Sequence, residues 1–90
     1  MAEILKVDGT RTPVEPEKGK YFHLEQLQKV VGGLIEIIHL PDGRLMVLNE
    51  EGKLETLPLN QAATALARGA IFDDDYIAGD VLVCDDKQIN

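Results

Sequence analysis

The spacing of apolar residues changes along the first third of the chain and predicts two extended segments followed by a helix. Residues 3–8 are apolar-rich and end at an Asp-Gly turn, which predicts a first strand. Residues 12–16 predict a second extended piece at a sheet edge or outside the sheet, because prolines cannot donate to a strand ladder. Residues 24–31 repeat apolar positions at helical spacing, which predicts a short amphipathic helix with His23 at its N-cap and Gly32 at its stop.

The rest of the chain predicts a hairpin, a third strand, a second helix and a last strand. The predicted elements are strands at 34–40, 44–48 and 53–57, a helix at 61–68 and a strand at 81–84. A Pro-Asp-Gly turn joins the first two of these strands, and the alternation over 53–57 extends them into a meander. Asn60 is a good N-cap for the second helix and Gly69 is its stop, whereas the acidic tail after Cys84 is expected to fray.

These elements predict a single α+β domain over residues 1–90, with a small, mainly antiparallel sheet (a meander) and two short helices. A length of 90 residues leaves room for one core, and 44% hydrophobic with 28% charged residues is typical of a globular chain. A small sheet with one face uncovered tends to find a partner, so the apolar-rich meander favours a homo-oligomer.

Charge and composition exclude several functional classes. A net charge of -7 disfavours direct binding of nucleic acid, whose affinity comes from cations that displace counterions. No apolar run is long enough for a membrane span, and the first residues lack the pattern of a signal peptide. One cysteine and two histidines leave no zinc-binding spacing. We therefore expect a cytoplasmic protein that uses no membrane, metal or cofactor.

The sequence lacks the motifs of familiar enzyme classes, so we expect a protein that is not an enzyme. It has no G-x-S-x-G, no H-E-x-x-H and no glycine-rich phosphate loop. Cys84 ends an apolar run and precedes two aspartates, whose charge raises a thiol pKa, so an inert buried cysteine is favoured over a nucleophile. His23 and His39 lie on different predicted elements, and no spacing brings them together on a metal or as acid and base.

The best candidate anion site surrounds the start of the first helix. Lys18 and Lys20 flank a glycine directly before Tyr21, and the free N–H groups of a helix start at His23 attract phosphate. An aromatic ring there can stack on a base. The alternative is a solvated loop whose aromatic residues fix the helix to the core. A polar stripe on the second helix is either its solvent face or a second contact face; it comprises Asn60, Thr64 and Arg68.

Acidic residues concentrate in the second half of the chain. Residues 1–44 carry a net charge of -1 and residues 45–90 a net charge of -6. The candidate acidic interaction surface comprises Glu50, Glu51, Asp73, Asp74, Asp75 and Asp80. The three consecutive aspartates, Asp73 to Asp75, lack the alternating ligands and closing glutamate of a calcium loop. They are either solvated loops or a docking surface that imitates nucleic-acid phosphates for a basic host protein.

Six segments together carry a resemblance to a known family: Tyr21 to Glu36, Leu40 to Arg44, Asn49 to Gly52, Leu57 to Asn60, Ala63 with Thr64, and Ile77 to Val83. In their order and spacing they resemble a small family named only as domain of unknown function 3846. The resemblance covers roughly residues 20–84 and departs at His23, where the family tends to have Ser, Thr or Asp. Members occur in bacteriophages and mobile elements of bacteria, so the resemblance implies an accessory protein in the host cytoplasm that acts by binding, as inhibitors of host defence do.

Two binding functions are compatible with these expectations. In the first, a homo-oligomer holds a small anionic nucleotide-type signal of host defence between its subunits, because one chain is too small to enclose such a ligand. In the alternative, the acidic half docks on a basic host protein as an interaction inhibitor or nucleic-acid mimic.

Overall fold

Residues 2–89, the part of the chain that the computed structural model describes, form five strands and two α-helices. Met1 and Asn90, which belong to the predicted domain and its tail, lie outside the described residues. The elements are β1 (Ala2–Leu5), β2 (Arg11–Val14), α1 (Leu24–Val31), β3 (Ile35–His39), β4 (Leu45–Asn49), α2 (Gln61–Leu66) and β5 (Val81–Cys84), followed by a 3₁₀ turn at Asp86–Gln88. The predicted α+β class with an antiparallel sheet and two short helices is confirmed.

The strands form one antiparallel sheet in the order β2-β1-β5-β4-β3. The last strand, β5, is inserted between β1 and β4, so segments from opposite ends of the chain pair at the centre of the fold. Every residue of β4 and β5 is buried. Their continuous apolar runs are typical of strands that are covered on both faces.

The two helices cover opposite faces of the sheet. Side chains alternate along β4, where Leu45 and Val47 pack with Leu27 and Val31 of α1. Met46 and Leu48 point to the other face, where they pack with Ala63 and Ala67 at α2. The premise of an uncovered sheet face is therefore wrong, because the central strands are covered on both sides.

Three of the four helix ends have the predicted cap residue, whereas Ala67 and not the predicted Gly69 ends the second helix. Gly32 has a φ of 81° and ends α1 through its backbone N–H, which donates to the Gln28 carbonyl. His23 is at the N-cap, but its side chain makes no capping hydrogen bond. The side chain of Asn60 accepts the Ala63 amide at the start of α2. This helix ends at Leu66, two residues earlier than predicted, with Ala67 as its C-cap.

Two predicted segments differ in the structure. Residues 53–57 do not form a third meander strand, because both edges of β4 are already paired with β3 and β5. The segment instead folds into turns closed by local hydrogen bonds, such as Leu57 N–H to the Gly52 carbonyl at 2.9 Å. The acidic tail does not fray over its described part, since the Phe22 amide donates to the Gln88 carbonyl at 2.8 Å and Ile89 packs against the core.

Candidate functional site

The residues predicted to bind an anion lie in two places on opposite faces of the sheet. Lys18 and Tyr21 face each other across a tight turn that precedes α1, so the first group is a local cluster. The second group surrounds α2. The structure therefore does not bring the two groups together within one chain.

A small pocket at the start of α1 contains part of the first group. Lys18, His23 and Lys29 line this pocket of about 330 Å³ together with Glu17, Glu25 and Gln26, and we call it the α1 pocket. Two carboxylates and two ammonium groups share its rim, so its charge is mixed. The buried Gln26 side chain fixes the approach loop, because its oxygen accepts the Glu17 amide and its nitrogen donates to the Glu15 carbonyl, both at 2.9 Å.

Asn60 and Thr64 are buried and bonded within the protein. The Asn60 amide donates to the carbonyls of Leu5 and Gly79 at 3.0 and 2.9 Å. The Thr64 hydroxyl donates to the Asn60 carbonyl and accepts the Ile77 amide, both at 2.8 Å. These contacts join α2 to β1 and to the segment that leads into β5.

Arg68 is exposed and organises the acidic loop that follows α2. Its Nη1 lies 3.4, 3.0 and 3.3 Å from the carbonyl oxygens of Phe72, Asp73 and Asp75. The guanidinium thus faces backbone oxygens of the same segment that carries the three consecutive aspartates.

The acidic candidates divide between a cleft and other positions. The segments 50–60 and 67–80 lie side by side and enclose a groove of about 330 Å³ with the outer part of the sheet. We call this groove the acidic cleft; its polar lining is Glu36, Asn49, Glu50, Lys53 and Asp75, and its apolar lining includes Ile38, Leu48, Leu54, Ile71, Tyr76 and Ile77. Glu50 and Asp75 were predicted for this surface, whereas Glu36 adds a third carboxylate.

Lys53 and Asp75 form an ion pair across the acidic cleft. The Asp75 carboxylate raises the pKa of the Lys53 ammonium, and the same hydrogen bond lowers the pKa of Asp75. Lys53 Nζ also lies 4.6 Å from the centroid of the Tyr76 ring, a cation–π geometry. Because Asp75 balances the charge of Lys53, Glu36 and Glu50 leave the cleft with a negative charge.

Large apolar side chains are exposed beside these carboxylates. Leu54 is 83% exposed in the lining of the cleft, and Phe72 is 81% exposed in the loop that carries the aspartates. Tyr76 is 41% exposed. Exposed aromatic and aliphatic residues next to charge are typical of surfaces that contact another protein.

The other acidic candidates have different surroundings. Asp80 accepts the Val7 amide at 2.9 Å and thereby holds the turn between β1 and β2. Glu51 is exposed, and its amide donates to the side chain of the buried Asn49 at 2.7 Å. Asp73 and Asp74 are exposed on the loop that Arg68 organises.

Cys84 and the histidines are not arranged as a catalytic group. Cys84 is completely buried in β5, and this burial, together with the charge of Asp85, raises the pKa of its thiol to about 11. A neutral buried thiol is a poor nucleophile. His23 precedes α1 and His39 ends β3, and both are exposed.

The described residues contain neither a metal-binding cluster nor a membrane-spanning helix. Within residues 2–89, no group of three or more His, Cys, Asp or Glu side chains is placed to hold a metal ion. Over the same range, no helix has the length and apolar character needed to cross a bilayer.

Sequence reasoning missed Glu36 and Asn49. Glu36 interrupts an apolar run and lies on β3, where strand periodicity places it beside Ile38 on the cleft face. That interruption was the available signal. Asn49 is buried and donates to the Val31 carbonyl at 3.1 Å and to Glu55 at 3.3 Å, which joins α1 to the segment after β4. Asn49 ends an apolar strand directly before a turn, so its sequence position indicates only a turn residue and not a contact with α1.

Comparison with known proteins identifies a family without an assigned activity. The family described as "Domain of unknown function (DUF3846)" matches residues 1–89, a longer range than the 20–84 of the predicted resemblance. No curated protein matches the chain significantly. No solved structure does so either.

Proposed function

The chain belongs to the DUF3846 family of domains of unknown function, and we propose that it acts by binding another protein, with its acidic cleft docked on a basic segment of that partner. The single observation that carries this proposal is the set of carboxylates around an apolar floor in a cleft whose lysine is already paired. Such a surface attracts cations over a distance and gives an apolar contact once they arrive. The partner belongs to the host of a phage or mobile element, in whose cytoplasm the protein acts against defence.

The test uses a lysine- and arginine-rich peptide as the probe and titrates it into the protein by calorimetry at low and high salt. Binding that weakens as salt rises is expected, because exposed charges are screened over about 10 Å at 0.1 M ionic strength. Glu50→Lys should weaken binding by about ten-fold, the equivalent of about 1.4 kcal/mol, since an exposed carboxylate becomes an ammonium at the cleft.

Glu25→Lys is the matched control, because it makes the same change of charge on α1 at the opposite face of the sheet. It should bind the peptide as the native protein does, apart from a small change due to net charge. Equal weakening by both substitutions would show that overall charge rather than the cleft attracts the peptide, and would refute the proposal.

A second candidate function has its own observation. Lys18, His23 and Lys29 line the α1 pocket at a helix start, which is the chemistry that a small anionic nucleotide needs. In this proposal the protein is a homo-oligomer that retains such a ligand from the host. The acidic rim residues Glu17 and Glu25 make it the weaker candidate.

Native mass spectrometry of protein purified rapidly from bacteria tests this second candidate. The expected result is an assembly heavier than a whole multiple of 9.9 kDa, with an excess mass that is lost on denaturation. Lys18→Glu and Lys29→Glu, both in the lining of the α1 pocket, should each abolish the excess mass, whereas Lys6→Glu, on the turn after β1, should keep it. Retention of the excess mass by both of the first two variants would remove the α1 pocket from consideration.

A further inference from the structure

We propose that the basic partner adds to the free edge of β3 as an antiparallel sixth strand, with alternate side chains directed to the acidic cleft. This inference rests on the proposed function and specifies the conformation of the partner. It predicts an extended segment in which Lys or Arg alternates with apolar residues.

The outer edge of β3 carries a row of backbone groups that no other strand within residues 2–89 pairs with. The hydrogen bonds from Leu40 to Arg44 and from Glu50 to Leu34 fix which β3 residues face β4. In an antiparallel ladder, residues whose backbone groups bond to the neighbouring strand alternate with residues whose backbone groups point away from it. Glu36 and Ile38 therefore bond to β4. The amides and carbonyls of residues 35, 37 and 39 therefore point outward, in the spacing that an added strand requires.

The opposite edge of the sheet lacks one of the donors that such addition needs. The hydrogen bond from Lys6 to the Thr10 carbonyl sets the register of the β1–β2 pair. By the same alternation Pro13 occupies an outward position of β2, where it offers no N–H group. Proteins protect exposed edges in this way. No proline or lysine interrupts β3, which reads Ile-Glu-Ile-Ile-His.

The two faces beside the free edge differ in chemistry. Glu36 and Ile38 lie on the cleft face, next to Glu50. Ile35 and Ile37 lie on the α1 face, where Ile35 packs against the core and Ile37 is 36% exposed. An added strand would therefore meet carboxylates with one set of alternate side chains and apolar surface with the other.

Charge favours a basic partner over a second copy of this chain. Each copy has a net charge of -7. A two-fold pairing of β3 centred on Glu36 would place the two carboxylates opposite each other, and a pairing centred on Ile37 would place Glu36 opposite Ile38. Neither register brings a cation to the cleft, whereas lysine or arginine on an added strand does.

The test measures calorimetric binding of a short synthetic peptide in which lysine alternates with valine. A peptide of the same composition with its lysines in one block is the control for charge alone. The alternating peptide should bind with a stoichiometry of one and about ten-fold more tightly, the equivalent of one or two net hydrogen bonds.

Backbone substitutions then test the strand pairing itself. In the expected register the amides of the valines face β3, so N-methylation of the valines should abolish binding and N-methylation of the lysines should not. On the protein, Ile37→Pro removes one outward N–H and should weaken binding by about ten-fold, while Ile37→Val keeps it. The N-methylated peptides need only the native protein, so they decide the matter even if the proline variant does not fold.

Three results would overturn the inference. Equal affinity for the alternating and block peptides, or unchanged binding after methylation of the valines, would show that the edge is not used; the proposed function then stands if Glu50→Lys still weakens binding. If sedimentation shows a dimer and Ile37→Pro dissociates it, the edge of β3 pairs with a second copy of the chain and not with a basic partner. Absence of binding by every basic peptide would refute the proposed function as well.

Discussion

Asn60 joins three segments through one buried side chain. Its oxygen accepts the Ala63 amide at 3.0 Å, and its nitrogen donates to carbonyls of β1 and of the segment before β5. Local sequence predicts the N-cap because the residue type and the following apolar spacing are visible in a short window. The two carbonyl partners lie 55 and 19 residues away, so no local pattern could reveal them. A side chain with all its groups bonded inward has little left for a ligand.

Asn60→Ala is expected to lower the free energy of unfolding by about 2 to 4 kcal/mol. The substitution removes a helix cap, which contributes about 1 kcal/mol, and takes the Asn60 amide away from the carbonyls of Leu5 and Gly79. Urea denaturation followed by circular dichroism measures the change. Gln61→Ala, at the exposed neighbouring position, should change the free energy by less than about 0.5 kcal/mol. A similar loss in both variants would show that the buried hydrogen bonds of Asn60 are not the cause.

Cys84 is expected to resist thiol reagents while the protein is folded. Burial raises the pKa of the thiol to about 11, so near neutral pH the side chain is both inaccessible and protonated. Labelling with a chromogenic disulfide should occur rapidly in guanidinium and, in native buffer, only as fast as the protein opens. Stoichiometric labelling of the native protein within minutes would contradict this burial.

The same thiol gives stability a defined dependence on alkaline pH. Its pKa is higher in the folded than in the unfolded chain, so its contribution is complete below the ordinary thiol pKa of 9.0 and is lost as pH rises toward about 11. Denaturation midpoints measured over this range should fall with pH. Cys84→Ala removes this titration, so its midpoints should fall less steeply over the same interval.

At the scale of elements, the segment 53–57 shows where a local sequence pattern predicts the wrong structure. Its alternation of apolar and polar residues resembles a strand, and a hairpin directly before it makes a meander the nearest solution. The structure instead pairs β4 with β5, and Leu54 remains 83% exposed. The helices, the hairpin and the edge strand with its proline were predictable from periodicity and turn residues. The neighbour of β4 was not, since it depends on a competition between distant strands.

Arg68→Ala is expected to loosen one loop without unfolding the protein. The guanidinium donates to three carbonyls of the segment after α2, and the Lys53–Asp75 pair also holds this segment. Hydrogen exchange should become faster over residues 70–76, while the free energy of unfolding changes by less than about 1 kcal/mol, as is usual for exposed polar contacts. Arg11→Ala, which removes an exposed ion pair on β2, should leave this loop unchanged.

At the scale of the whole molecule, the pairing of β1 with β5 determines how the chain folds. Glu3 lies opposite Val83, so the centre of the sheet cannot form until nearly the whole chain is present. The apolar composition of β5 predicts a buried strand, but composition alone does not say which strands flank it. The same limit applies to the acidic cleft: its carboxylates come from β3 and two later segments, and only the assembled sheet brings them together.

Folding is therefore expected to be cooperative and slow for a chain of this size. Non-local strand pairing places small antiparallel sheets in the range of about milliseconds to seconds. Stopped-flow refolding monitored by circular dichroism would give the rate, and native hydrogen exchange should show β4 and β5 as the slowest to open, with β2 and β3 faster. Refolding in microseconds, or early protection of β2 alone, would contradict a nucleus that needs the central strands.

Pro13 also limits what edge pairing can build. A sheet with two open edges can pair with another molecule on each side. Each added molecule then offers its own second edge to the next one, which is how ribbons and fibres grow. Here the edge at β3 is open, whereas the edge at β2 carries a proline that offers no outward N–H group. We therefore expect each molecule to accept one added strand, at β3. Complexes formed through this edge should be closed pairs and not polymers.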